Sequence, residues 1–195
     1  MGPTISLLVR EVIFATEASK NEAQLRHELE NSLKQACLSQ SIPWTPFQLE
    51  RGLKATGKST KFADVAHGAV IIEYEPPKSF GGRAGSKTKH ARSQAEEYAA
   101  LISSEEGRAI EEYVLVAWDG AHITFGRFEE SIPVWESVVS FDSYAADRLL
   151  QALEQNGRPL VHPQLLQALV GPDSEYGVKL IPELYRSICE ADSLS

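Results

Sequence analysis

The stretch Ala69-Val-Ile-Ile-Glu-Tyr-Glu75 constrains this chain more than any other. Val70, Ile71, Ile72 and Tyr74 favour extended backbone, and Pro76-Pro77 ends the strand because neither proline can donate to a ladder. Side chains alternate across a strand, so Ile71, Glu73 and Glu75 share one face while Val70, Ile72 and Tyr74 share the other. A hairpin with His67-Gly68 at its tip pairs Ala66 with Ala69, Val65 with Val70 and Asp64 with Ile71, which brings Asp64 to the face of Glu73 and Glu75. Two carboxylates about 5 Å apart repel by roughly 3 kcal/mol at an effective dielectric near 20. Three acids on one apolar strand pair therefore call for a proton or a cation, and a divalent metal is the natural occupant.

The surrounding charge fits that expectation. From Arg51 to Arg92 there are nine Lys or Arg and only three acids, Asp64, Glu73 and Glu75, a net +6 within a chain of −8 overall. A basic collar around an acidic centre suits an enzyme acting on phosphodiesters: the collar holds the backbone and the centre holds the ion. A solvated lysine-rich loop is the plainer account of the same charges. Cys37 and Cys189 are too few for a disulfide framework or a zinc site, which favours a reducing cytoplasm. The apolar run Ile5 to Val9 is cut at once by Arg10 and Glu11, so neither a signal peptide nor a membrane span is expected there.

Residues 5–15 leave strand and helix open. Ser19-Lys-Asn-Glu22 reads as a capping box for a helix to about Ser39, with Leu25, Leu29, Leu33, Ala36 and Cys37 on its inner stripe. Glu22 lies on that stripe as the partner of Ser19 or as a ligand, and Glu28 and Glu30 read as solvent-facing. Phe47 to Leu53 alternates like an edge strand, and the glycines and prolines of 76–88 mark a basic loop. A second helix, about Thr88 to Ser104, buries Ala91, Gln94, Ala95, Tyr98, Leu101 and Ile102. Its Gln94 is polar on an apolar stripe. Tyr113 to Trp118 reads as a buried strand turning at Asp119-Gly120 into His122 to Phe128. After Pro133 the pattern becomes helical, with Asp142 or Ser143 capping one helix to about Gln155 and another running from about Ser174.

Asp64, then Glu73-Tyr74-Glu75, then Gln94 on the next helix is an order that resembles the PD-(D/E)xK nuclease superfamily. Residues 64–98 look like the nuclease-type domain that precedes an adenine-N6 DNA methyltransferase in some restriction-modification proteins. The likeness covers about residues 19–128. It implies an α/β fold, a restriction-endonuclease-like mixed sheet flanked by helices over residues 1–132, with a helical appendage or connector over 133–195. It further implies a metal-dependent DNA endonuclease of a restriction or phage-defence system, with Mg²⁺ or Mn²⁺ at an Asp64/Glu73/Glu75 site. Asp64 and Glu73 would bind the ion and Glu22 would be the accessory acid. The family's lysine position is held here by Glu75, which would act as general base or further ligand, while Lys78 or Lys89 replaces the lysine charge. Lys58, Lys61, Arg83, Lys87, Lys89 and Arg92 form the DNA-binding collar. The partners implied are DNA, a DNA methyltransferase or other defence subunit, and a second copy of the chain, with no membrane.

Two rival readings stand beside it. A nuclease-like fold that keeps its acids can serve as a catalytically inactive DNA-binding or docking module. Gly52-Leu-Lys-Ala-Thr-Gly-Lys-Ser59 is also a literal Walker A match, but no hydrophobic strand precedes it and too few residues separate it from Gly68 for the usual helix.

Overall fold

The structure, a computed structural model, describes residues 2–44, 65–80, 85–158, 171, 174, 177–179, 182 and 186. The chain divides into two compact units, Met1–Pro159 and Leu160–Ser195. Asp64, the expected strand Phe47 to Leu53, the Walker A-like stretch 52–59, and Lys58, Lys61 and Arg83 lie outside the described residues.

The undecided segment 5–15 is helical. Helix α1, Pro3–Ala18, starts with proline at its first position, where no amide partner is lost, and buries Leu8, Val12, Ala15 and Thr16. A three-residue link folds helix α2, Glu22–Ser39, back along it, so that Ser39 meets Thr4 at 3.3 Å. The expected inner stripe Leu25, Leu29, Leu33, Ala36 and Cys37 is buried. The cap differs from the expectation: Asn21, not Ser19, accepts the Gln24 amide at 2.9 Å, and Gln24 accepts the Lys20 amide at 3.2 Å. Ser19 is occupied in closing α1, its amide bonded to the Ala15 carbonyl, and Glu22 becomes the first helical residue, not a capping partner.

Strands β1 (Val65–His67) and β2 (Val70–Tyr74) form the hairpin, but Val65 faces Ile72 and His67 faces Val70. The turn is therefore Gly68-Ala69, one residue later than expected. Gly68 is at φ +57, and a Cβ there would lie 2.5 Å from the Arg158 carbonyl oxygen, so the tip is seated on the end of a later helix. Helix α3, Ser86–Glu106, then carries the chain to β3 (Val114–Trp118), parallel to β2. A turn through Gly120, packed against Thr16 of α1, leads to antiparallel β4 (His122–Glu129), which pairs with β5 (Ile132–Trp135) and β6 (Val139–Ser140). Among the described residues the result is a mixed six-stranded sheet, β1-β2-β3-β4-β5 with β6 also on β4.

Helix α4, Ser143–Asn156, is capped by Asp142, which accepts the Tyr144 and Ala145 amides. Val70, Ile72 and Tyr74 of β2 pack with α1, α2 and α4, while Ile71 packs with Ala95, Tyr98 and Ala99 of α3. The sheet is thus a middle layer between one helix and three. The boundary expected at residue 132 falls inside the sheet, because Pro133 sits on the outer strand β5, where its missing donor costs no ladder bond inside the sheet. In the second unit Ser174 opens a helix, its Oγ accepting the Gly177 amide at 2.8 Å. Among the described residues no helix is long and apolar enough to cross a membrane.

Candidate active site

The acids of β2 lie at the carboxyl ends of the two parallel strands. Glu73 sits in register with Ala117 of β3 and is 2% exposed; alternation from Ile71 directs it to the α3 side. The described pairing of β1 with β2 ends at Val65↔Ile72, one pair short of Glu73. Glu75 follows the strand, its amide bonded to the Trp118 carbonyl at 3.0 Å, and is 1% exposed.

Glu75 has both oxygens taken from the first turns of α3. Its Oε1 meets Nδ1 of His90 at 2.8 Å, and its Oε2 meets Nζ of Lys87 at 2.9 Å. The Lys87 contact is an ion pair whose angle is poor for a hydrogen bond, since Oε2 has no partner by directional criteria. Distance governs the charge interaction, and the ammonium sits within it. Close contact with the Glu75 carboxylate, with the Glu22 charge added, raises the Lys87 pKa and keeps it a cation.

The structure brings some of the expected site residues together and leaves others apart. Lys78 and Lys89 were the candidates to replace the family lysine, but Lys78 pairs with Glu17 of α1 at 2.5 Å and Lys89 is exposed, and Lys87 is the one against Glu75. The sequence pattern expects α3 from about Thr88, which leaves Lys87 in the loop; the helix begins at Ser86, which puts Lys87 and His90 on one helical face. Arg92, expected in the DNA-binding collar, is half-buried and turned into the protein. It donates to Thr124 Oγ1 at 2.8 Å and to the Glu136 carbonyl at 2.7 Å, and lies 5.1 Å over the Trp135 ring, tying α3 to β4 and the strand beyond. Burial lowers its pKa. Gln94 is half-buried on α3, one turn beyond His90.

Asp119 of the turn is fully buried, with its carboxylate accepting the Phe80 amide at 2.7 Å and the His122 amide at 2.6 Å, so it organises the loop after β2. On the opposite face, Glu30 is not solvent-facing as expected. It accepts the Tyr74 hydroxyl at 2.5 Å and lies 3.2 Å from Nε2 of the buried His67, which stacks on Trp44. That cluster clamps the hairpin to α2 and was hidden because Glu30 falls on the flank of the inner stripe.

Among the described residues no group of three His, Cys, Asp or Glu side chains could hold a metal ion. The donor chemistry at Glu73, a buried hard oxygen at a strand end, suits Mg²⁺ or Mn²⁺, while both oxygens of Glu75 lie against Lys87 and His90. No family model, no curated protein and no solved structure matches the chain.

Proposed function

We propose that this chain is a metal-dependent DNA endonuclease domain of a restriction or defence system, a PD-(D/E)xK-like enzyme whose strand lysine has been replaced by a lysine held from the next helix. The observation that carries the reading is the Glu75–Lys87 pair. A buried glutamate in the lysine position holds an ammonium, two residues along the chain from the buried Glu73. A restriction-endonuclease-like fold fits the mixed sheet, its acid-bearing hairpin and the α3 crossover to a parallel strand. Asp64, which immediately precedes β1 in the chain, and Glu73 would hold the ion, with Glu22 as accessory acid. When bound, a divalent ion there supplies a Lewis acid that polarises the scissile phosphate and its attacking water. Lys87 stabilises charge on the phosphate oxygens, Gln94 orients the bound backbone, and Lys89 with the collar residues of 58–83 binds the flanking phosphates.

The test is cleavage of modified and unmodified plasmid with Mg²⁺ or Mn²⁺ by the wild-type chain, Lys87→Met and Glu73→Gln. Metal-dependent nicking that both substitutions abolish supports the reading. A wild-type chain with no cleavage on any substrate would remove it.

One observation favours the inactive docking module. The charge on Glu75 is already balanced within the chain, so that acid has no need of a metal. Under that reading DNA or a methyltransferase subunit binds without metal dependence.

A further inference from the structure

The imidazole of His90 stands out from the rest of the site, because it is 59% exposed yet tied through one nitrogen to a carboxylate that is 1% exposed. Lys87 lies 2.9 Å from the other oxygen of Glu75. An ionised carboxylate can only accept, so its contact with Nδ1 puts a proton on that nitrogen, and in the neutral imidazole Nε2 then carries the lone pair. This is the arrangement by which a carboxylate orients a histidine for proton transfer, the remaining nitrogen facing the reactant. Among the described residues no hydrogen-bond partner occupies Nε2. The charged groups around it are Glu75 at the end of β2, Lys87 on the preceding turn, Lys89 beside it, and Glu22 of α2, whose charge reaches Lys87.

We propose that His90, oriented by Glu75, is the general base of the site. This rests on the nuclease reading above. Nε2 takes a proton from the attacking water as the oxygen's electron pair forms the new bond to phosphorus. The bond from phosphorus to the leaving oxygen breaks, that oxygen takes a proton from solvent, and the imidazolium releases its own proton to bulk. Glu75 stays ionised throughout and is a positioning residue.

Two measurements test this. Long-range ¹H–¹⁵N correlation on the metal-free wild-type chain reads the tautomer: Nδ1–H with bare Nε2 is expected, lost in Glu75→Gln, and an Nε2–H tautomer in the wild type overturns the proposal whatever the activity. In cleavage assays His90→Ala should lower kcat by about 10²–10⁴-fold with little change in KM, and added imidazole should restore part of it. His90→Ala also takes one partner from the buried Glu75, so its melting temperature is measured alongside to show that the variant remains folded with Lys87 on the other oxygen. A wild type that cleaves together with an unimpaired His90→Ala overturns the role of His90 and leaves the nuclease reading intact. Unrescued loss in a folded His90→Ala also overturns it. A wild type that cleaves nothing overturns both.

Discussion

The Lys87 ammonium and the Glu75 carboxylate form an ion pair at 2.9 Å in which one partner is about half exposed and the other is sealed from solvent. The asymmetry decides which loss matters. Lys87→Met strands a buried carboxylate with His90 alone, and breaking a partly compensated buried charge of this kind costs about 1–3 kcal/mol. Glu75→Gln leaves an ammonium that can turn to water, so it should cost less, and the double variant should recover much of the Lys87→Met loss. Urea unfolding of the four proteins measures the coupling. The sign with pH follows from Lys87, whose pKa Glu75 raises above 10.5: the pair's contribution is intact below that value and lost as pH climbs through the folded pKa. A coupling energy of zero would return Lys87 to the solvated collar.

Arg92 and Lys89 should separate cleanly in DNA binding. Lys89 is exposed and free to meet a phosphate, so Lys89→Ala should lower affinity and flatten its salt dependence by about one counterion. Arg92 is spent on Thr124, the Glu136 carbonyl and Trp135, so Arg92→Ala should reduce stability and leave the salt slope unchanged. Binding isotherms at several salt concentrations check both. A slope that falls with Arg92→Ala would put the guanidinium back on DNA.

Cys37 gives a pH-dependent readout of the α2 core. Burial first, and then the Glu30 charge, push its thiol up from 9.0 to about 12. In the folded chain the thiol should resist alkylation at pH 8–9 and react only on unfolding. Its linkage has one sign: the folded state holds the proton longer, so the contribution is complete below about 9 and is lost as pH rises towards 12. The stability difference between wild type and Cys37→Ala should therefore shrink from pH 8 to pH 11. Prompt native alkylation would mean that α2 opens locally.

The legible parts of the fold were those where one pattern had no competitor. Val70 to Tyr74 and the α2 stripe follow a single period and lie where the residues put them, and of the two cap candidates Asp142 and Ser143 it is Asp142 that caps α4. The hairpin register was illegible because His67-Gly68 and Gly68-Ala69 are both acceptable turns locally. What decides between them is the seat of Gly68 on the Asn156 and Arg158 carbonyls, a contact with a segment some ninety residues away in the chain. Strands β5 and β6 are short, exposed and interrupted by Pro133, so they carry no period to read. At the site, the two acids of β2 were visible as charges on an apolar strand. Lys87 and His90 were hidden, since their role depends on where α3 begins, which is the least determined feature of a helix in a sequence.

Glu73 finally decides between enzyme and module, because the two readings give its carboxylate opposite energetic roles. It is 2% exposed at a strand end. If it is a metal ligand together with Asp64, Glu73→Gln and Asp64→Asn each keep shape and remove one charge. The metal-free variants should then be as stable as wild type or more so, through relieved repulsion. The wild type alone should gain stability with Mg²⁺ or Mn²⁺, about 2.7 kcal/mol when the ion is at a hundred times its dissociation constant. If Glu73 is structural, losing its charge-assisted hydrogen bonds should cost about 1–3 kcal/mol with no response to metal in any of the three proteins. Thermal melts of wild type and both variants, with and without each ion, measure this directly. A wild type indifferent to metal beside a destabilised Glu73→Gln would leave the docking module as the surviving account.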